Sequence, residues 1–335
     1  MKFTLSLLLF SLLIASCDNA LDIIEARKDI PVVYGFISLS DTAQYIRLEK
    51  AFVDETTSAL VIAQDPDSLY YDDATVELVR TSNGASFALE MVDGKLEGYS
   101  REEGAFAQSP NYLYKIRTAD IALEGDEEYT LRIGREGKAE SIEASTVLLG
   151  QSRIRRPDPV TANILDFDYT DRTRFFWQVS ESAATHNLYV DINYRERSPD
   201  TNGVFESKSV TWEVVKNLES NSSEPTRVEY EAEGLGFYNF LAGAIPVDED
   251  AERRFEDLTV RVISGGEEIN SFVSVGEANL GITSTQDVPS FSNIPGGRGI
   301  FSSTNTAFVE NVTISNPTRD SLVNGTITRA LNFTN

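Results

Sequence analysis

The chain has 335 residues, and 29 Lys or Arg stand against 53 Asp or Glu, which gives a formal net charge of −24. This acidic surplus argues against nucleic acid and anionic lipid surfaces as partners, because both would repel the protein. An apolar content of 41% is ordinary for a folded protein and argues against a mostly disordered chain. The single cysteine and single histidine exclude a disulfide framework, an Fe–S cluster and a multi-histidine metal site.

Residues 1–16 have the pattern of a secretory signal. The apolar run from Leu5 to Ile14 follows Lys2 and is too short to span a bilayer, which takes ~20 residues. Small residues and the only cysteine follow it, in the order Ile14-Ala15-Ser16-Cys17. This order resembles the lipobox of bacterial lipoproteins, and the resemblance implies cleavage before Cys17 and attachment of lipid to its thiol. The alternative is a chance cysteine just past an ordinary cleavage site.

Residues 17–29 are predicted to form a tether between the lipid and a folded body. Asp18, Asp22 and Glu25 lie close to the anchor. Acidic residues at this place resemble the surface-export signals of some Bacteroidota lipoproteins. We therefore expect a protein anchored by lipid in the outer membrane and exposed at the cell surface rather than facing the periplasm.

After residue 30 the dominant pattern is alternation of apolar and polar residues, which is typical of half-buried strands. Tyr129, Leu131 and Ile133 are one such set, and Gly, Asn and Asp mark turns between the sets. Many short strands with frequent turns predict an all-β protein with two β-sandwich (immunoglobulin-like) modules in tandem.

The first module is predicted over 30–150 and the second over 151–310, because two prolines and a basic island mark residues 150–160. The second module is expected to contain one short helix near 236–245, where apolar residues recur at helical spacing and Pro246 ends the run. Residues 311–335 are rich in Ser, Thr and Asn and are predicted to form an edge strand or a loosely ordered tail.

The most suggestive loop of the first module is residues 65–73, where four acidic residues flank Tyr70 and Tyr71. Carboxylates suit Ca²⁺, and tyrosine rings suit a sugar or a protein hot spot. The order of the acidic residues does not match an EF-hand loop. Tyr70 and Tyr71 are therefore candidate interaction residues, and a solvated hairpin insertion is the alternative.

A second candidate is the glycine-rich segment Gly296-Gly297-Arg298-Gly299. It is not a phosphate-binding loop, because no Gly-Lys-Ser/Thr follows it. Arg298 is a candidate binding residue, and a tight turn in which Arg298 pairs with a nearby acidic side chain is the alternative.

Three segments resemble one family of proteins. The first is Asp29–Gly35 followed by Asp41–Phe52, the second is Gly236–Leu241 closing with Ile245–Asp248, and the third is Phe291–Ser303. Together with the lipobox they are similar to uncharacterised lipoproteins of Bacteroidota, which carry a domain of unknown function and are often encoded beside TonB-dependent receptors. The resemblance implies an envelope lipoprotein built of β-sandwich modules, and it suggests an outer-membrane β-barrel receptor as partner.

No catalytic constellation is recognisable in the sequence. His186 has no nucleophile elbow of the form Gly-x-Ser-x-Gly to serve, so we expect it to be structural or simply exposed. Neither a cofactor nor a metal site is predicted. Two catalytic carboxylates, as in a glycosidase, need no fixed spacing in the sequence, so a hydrolase of this kind stays an open alternative.

The sequence therefore predicts a non-catalytic, lipid-anchored envelope protein that acts as a binding or accessory module, with a TonB-dependent receptor as the suggested partner and its ligand unknown. The alternatives are a structural or adhesive surface protein and a hydrolase that uses paired carboxylates.

Overall fold

The computed structural model describes residues 30–51, 58–199, 203–279 and 290–334. The predictions for the signal peptide, the tether and Cys17 lie outside the described residues. Strands make up 48% of the structure and helices 16%, in a sandwich-like arrangement, which confirms the all-β class.

The N-terminal half of the molecule comprises residues 30–149. Its strands are β1 (Ile30–Ser38), β2 (Ala43–Ala51), β3 (Ala74–Arg80), β4 (Ser86–Ala88), β5 (Glu90–Asp93), β6 (Tyr112–Arg117), β7 (Glu128–Arg135) and β8 (Ile142–Val147), and its helices are α1 (Ala59–Ile62) and α2 (Pro66–Leu69). One layer has the order β1-β2-β6-β5 and the other the order β4-β3-β7-β8. Their inward-facing side chains, such as Ile46, Leu78 and Leu131, form one hydrophobic core because residues of period two share a face.

The C-terminal half comprises residues 150–334. Its strands are β9 (Arg153–Arg156), β10 (Ile164–Leu165), β11 (Arg172–Gln178), β12 (Ala183–Arg197), β13 (Glu206–Glu219), β14 (Arg227–Glu233), β15 (Glu252–Gly266), β16 (Arg298–Ile314) and β17 (Phe333–Thr334), and its helices are α3 (Gly234–Ala244), α4 (Glu267–Asn279) and α5 (Asn316–Asn324). The long strands β13-β12-β15-β16 face the small sheet β14-β11-β9, and a second core around Trp177, Val190 and Phe237 lies between them.

Strand β16 belongs to both halves. Its first part pairs in parallel with β1, from Arg298 opposite Val32 to Thr304 opposite Ser38. Its second part pairs antiparallel with β15, so the two halves share one ten-stranded sheet. As a result Phe301 and Ile294 pack in the N-terminal core, although the sequence places them in the second module. The pairing joins residues more than 260 positions apart, which no local pattern indicates.

The C-terminal half contains three helices among its described residues, whereas the sequence predicts one. Helix α3 lies where it is expected. Helix α4 begins directly after β15, and its acidic first turn is a helix signal that the alternating pattern before it concealed.

The described part of the predicted segment, residues 311–334, forms neither a simple edge strand nor a loose tail. The strand β16 ends at Ile314, and α5 begins after Ser315, whose hydroxyl caps the helix by accepting from the Thr318 N–H. A capping serine followed by a proline in the first turn is a helix start, and the polar composition of the segment masked it. The last described residues form β17, which pairs with β15.

A buried ion pair fastens the C-terminal segment. Arg253 on β15 is 2% exposed, and its Nε lies 2.7 Å from Glu196 Oε2. Its two other nitrogens donate to the carbonyl oxygens of Leu331 and Pro246 at 2.7 and 3.0 Å. Burial raises the pKa of Glu196, but hydrogen bonds from Lys208 and Arg253 outweigh it, and the net pKa is lowered. The carboxylate is therefore held in its charged form beside Arg253.

We expect Phe301→Ala to lower the free energy of unfolding by about 3–5 kcal/mol, because it leaves a cavity in the N-terminal core. Trp177 and Trp212, the only tryptophans, both pack in the C-terminal core. Because β16 joins the two cores, a urea titration followed by tryptophan fluorescence should report this loss. Phe308→Ala, at a position of the same strand that is 61% exposed, is the control and should change stability by less than ~0.5 kcal/mol. A tryptophan transition that Phe301→Ala leaves in place would show that the halves unfold independently.

We expect Glu196→Gln to lower the free energy of unfolding by about 3 kcal/mol, because it leaves the Arg253 guanidinium buried without its counter-charge. Hydrogen exchange of residues 331–334 should accelerate with it. The control is Glu256→Gln, which breaks an exposed pair with Arg195 and should cost less than ~1 kcal/mol. Equal effects of the two substitutions would contradict the role of the buried pair.

Candidate functional site

The two tyrosines of the 65–73 loop lie inside the protein. Tyr70 is buried, its ring packs edge-on against Tyr112 at 5.1 Å, and its hydroxyl donates to the Pro110 carbonyl at 3.1 Å. Burial raises the pKa of Tyr70. Tyr71 belongs to the N-terminal core, and the Arg135 guanidinium lies over its ring at 3.7 Å. Neither tyrosine projects its ring from a solvated loop; helix α2 turns the chain inward just before them.

Arg298 lies at the first position of β16 and is exposed. Its Nη1 donates to the Ser290 hydroxyl at 3.3 Å. The next residue, Gly299, must be a glycine for strand pairing. Its φ is +105°, and a Cβ there would lie 1.9 Å from the Val33 carbonyl oxygen. The glycine-rich segment therefore lets β16 approach β1 closely.

The two candidate segments meet at one cleft. This cleft, named here the Tyr71 cleft, has a volume of about 390 Å³ and receives Tyr71 from the first segment and Gly296 from the second. Arg298 does not line it. The remaining apolar wall comes from four strands, β1, β2, β7 and β8, and is formed by Pro31, Leu48, Ile133 and Ile142.

The mouth of the Tyr71 cleft is polar. Lys138 and Glu140 are exposed there, in the turn between β7 and β8. Arg135 pairs with Asp73 at 2.6 Å while it covers the Tyr71 ring, so its charge is compensated. An apolar wall of this size with a few polar groups at its rim suits a small apolar ligand or an apolar side chain of a partner.

The sequence does not point to the hairpin between β7 and β8 as part of a site. The alternation from Tyr129 to Ile133 predicts β7 correctly, but it does not tell which loop the hairpin tip will face. The side chain that would have been informative is Ile142, an apolar residue directly after the polar turn.

A second cleft, named here the junction cleft, has a volume of about 420 Å³ and lies where β8, β12, β13 and α4 meet. Its lining combines polar and apolar residues and includes four glutamates, which are Glu181, Glu219, Glu267 and Glu268. Glu268 Oε2 accepts from the hydroxyls of Thr146 at 2.9 Å and Ser302 at 2.7 Å. This glutamate therefore fastens α4 to strands β8 and β16.

His186 lies in the C-terminal half beside the junction cleft and is 1% exposed. Its Nδ1 and Nε2 each lie 2.9 Å from a serine hydroxyl, those of Ser264 and Ser220. The Ser220 hydroxyl donates its proton to the Ala183 carbonyl at 2.5 Å, so Nε2 must carry the proton that Ser220 accepts. In this arrangement His186 cannot take a proton from Ser220, and the pair is not a nucleophile with its base.

Burial lowers the pKa of His186 from its ordinary value of 6.5 to about 4. The side chain is therefore neutral near pH 7 and packs edge-on against the Trp177 ring at 5.8 Å. This environment confirms the structural alternative for His186.

Among the described residues, no group of three or more His, Cys, Asp or Glu side chains is placed to hold a metal ion. In the same part of the chain, no helix is long and apolar enough to cross a membrane.

No protein-family model and no curated protein sequence matches this chain. Among solved structures, the C-terminal globular domain of oligosaccharyltransferase from Pyrococcus abyssi aligns with 70% of this chain at 11% sequence identity and a TM-score of 0.24. The alignment spans about half of that structure, 47% of its length. At this TM-score the alignment carries no inference about function.

We expect the protein to lose stability as the pH falls from about 6.5 to about 4 through His186. In that interval the unfolded chain binds a proton on His186 while the folded protein does not, so the free energy of unfolding falls by up to about 3 kcal/mol. Above pH 6.5 the contribution is fully present. Urea titrations of the wild type and of His186→Gln at pH 7 and pH 4.5 measure this contribution. The carboxylates titrate alike in the two proteins, so the difference between their pH dependences comes from His186. An identical pH dependence of the two proteins would contradict the depressed pKa.

Proposed function

We propose that the protein is a lipid-anchored envelope lipoprotein, attached to the outer membrane through Cys17 and exposed at the cell surface, that binds a partner and catalyses no reaction. An outer-membrane β-barrel receptor of the TonB-dependent class is the partner proposed. The lipobox supports the anchor, because its cysteine is the only one in the chain and follows the apolar run directly.

The observation that carries the binding role is the Tyr71 cleft. Its apolar wall is open at the surface, and its volume lies within the range of about 300–1,000 Å³ that is usual for ligand sites. The finer fold assignment, two immunoglobulin-like sandwich modules in tandem, belongs to the same proposal. Two separate hydrophobic cores support it, and the shared strand β16 makes the two modules one body that presents the cleft in a fixed position.

A hydrolase that uses paired carboxylates is the second candidate, and the four glutamates of the junction cleft favour it. A glycosidase needs only two carboxyl groups about 5–10 Å apart. Hydrolysis of a broad glycan and peptide panel that is lost in Glu219→Gln would replace the binding role with this one.

Two variants separate the anchor from the binding site. We expect Cys17→Ala to move the protein from the membrane to the soluble fraction and to remove the lipid from its intact mass, because each buried acyl CH₂ contributes ~0.8 kcal/mol to anchoring. Ala139 lies between Lys138 and Glu140 at the mouth of the Tyr71 cleft, and we expect Ala139→Trp, which obstructs that mouth, to stay anchored.

The measurement for binding is a pull-down of C-terminally tagged protein from outer membranes in mild detergent, followed by mass spectrometry. A β-barrel receptor should co-elute with the wild type at near-equal amount and fall about tenfold or more with Ala139→Trp, which corresponds to a loss of at least ~1.4 kcal/mol. Ala242→Trp, at an exposed alanine of α3, is the matched control. Recovery of the lipoprotein alone would favour a structural or adhesive role.

A further inference from the structure

Exposed apolar side chains are concentrated in two short segments of the N-terminal half. Leu60 and Val61 on α1 are 65% and 63% exposed, and Leu96 in the connection from β5 to β6 is 85% exposed. Tyr99 and Phe106 in the same connection are also exposed. Leu60, Val61 and Phe106 are named here the apolar pole; the Tyr99 ring lies instead on the Tyr45 ring at 4.9 Å, away from the end where Ile30 pairs with Ala51. Contiguous exposed apolar side chains mark an interaction site more often than scattered ones do.

The two segments are held together, so the apolar pole is a built surface. The Ala107 N–H donates to the Ala63 carbonyl at 2.8 Å, and the Gln64 side chain donates to the Ala105 carbonyl at 2.7 Å. The Arg101 guanidinium lies over the Phe106 ring at 5.2 Å and forms an ion pair with Glu49 on β2. The connection from β5 to β6 is thereby fixed to both α1 and the sheet.

The apolar pole lies at the end of the sandwich where the chain enters. Ile30, the first residue of β1, pairs with Ala51 at the end of β2, and α1 begins at Ala59. In the antiparallel pairing of β2 with β6, Ile46 lies opposite Tyr114 and Ala43 opposite Arg117. The start of β6, and with it the connection that carries Phe106, therefore lies toward the same end.

The proposed lipid site is close to this end along the chain. Cys17 precedes Ile30 by thirteen residues, which reach at most about 45 Å when fully extended. A tether of that length holds the body near the bilayer but does not decide which surface faces it. An apolar surface at the end where β1 begins would set the orientation of the body. Burial of its side chains in the membrane interface is favourable, whereas burial of the charged residues around it is not.

We infer that the apolar pole rests on the lipid bilayer and places Leu60, Val61 and Phe106 at the boundary between head groups and acyl chains. This inference rests on the proposed lipid anchor. The acidic chain disfavours anionic lipids, so the surface it fits is a zwitterionic one. Glu102 and Glu103 are exposed beside Phe106 and stay on the water side, at the rim of the contact.

The experiment uses full-length lipidated protein in phosphatidylcholine vesicles. Lipid occupies the thiol of Cys17, the only native cysteine, so an introduced cysteine is the single site for an environment-sensitive fluorophore. The test variants are Val61→Cys and Phe106→Cys. The controls are Phe308→Cys and Val160→Cys, at positions of the C-terminal half that are at least as exposed as Phe106. Phe308 lies ten residues along β16 from the Arg298 end, about 33 Å away.

We expect the labels at positions 61 and 106 to shift their emission to the blue and to be quenched severalfold more by nitroxide-labelled lipid than the labels at positions 308 and 160. Adding Leu60→Ser to Phe106→Cys should lower the quenching toward the control value. Tryptophan fluorescence of each variant verifies that Trp177 and Trp212 remain buried as in the wild type.

Three results would overturn the inference in distinguishable ways. Equal quenching at all four positions, with diacylglycerol present on Cys17 by intact mass, removes the bilayer contact and leaves the lipid anchor standing. Absence of lipid on Cys17 would overturn both the bilayer contact and the lipid anchor. Shielding of labels 61 and 106 by purified receptor, without quenching by lipid, identifies the apolar pole as a protein interface instead.

Discussion

The parallel pairing of β1 with the first part of β16 is the constraint on which the rest of the structure depends. It connects the first described strand to a strand near the end of the chain, and it brings Phe301 and Ile294 into the N-terminal core. Contacts between residues so far apart in the sequence carry a large loop-closure cost, which the two cores together must outweigh. The N-terminal half therefore lacks part of its core until nearly the whole chain has been made.

Hydrogen bonds then fix the relative positions of β8, β16 and α4, where the two halves meet. Glu268 accepts from Thr146 and Ser302, and the Ser303 hydroxyl donates to the Val147 carbonyl at 2.6 Å. Apolar packing alone tolerates small shifts, whereas buried hydrogen bonds lose energy steeply when their partners move apart. The glutamate-lined cleft beside them has one of its four carboxylates committed to this fastening. The same contacts hold the Tyr71 cleft and the apolar pole in fixed positions relative to the C-terminal half.

The local sequence pattern predicts individual strands, but it does not predict which strands pair with each other. The alternation at Tyr129–Ile133 predicts β7, and the helical spacing near 236–245 predicts α3, because in both cases burial on one face repeats along the chain. The sequence predicts neither the length nor the partner of strand β16, because parallel pairing between residues so far apart leaves no local pattern. The four acidic neighbours of Tyr70 and Tyr71 suggest solvent, so the sequence predicts a surface site there. The structure turns only the carboxylates outward, and cationic side chains from β2 and β7 lie over the Tyr71 ring.

The charge of the chain restricts how such a body can contact a membrane or a receptor. With a net charge of −24 it cannot rely on a basic patch, which is the usual means by which a folded domain recognises an anionic surface. Contact must then come from apolar side chains, because the free energy of burying them does not depend on the charge of either surface. The structure provides these at the end where β1 begins, in the exposed Leu60, Val61 and Phe106 and in the nearby wall of the Tyr71 cleft that includes Pro31. Burial of the charged residues over the remaining surface is unfavourable, so apolar burial selects this end.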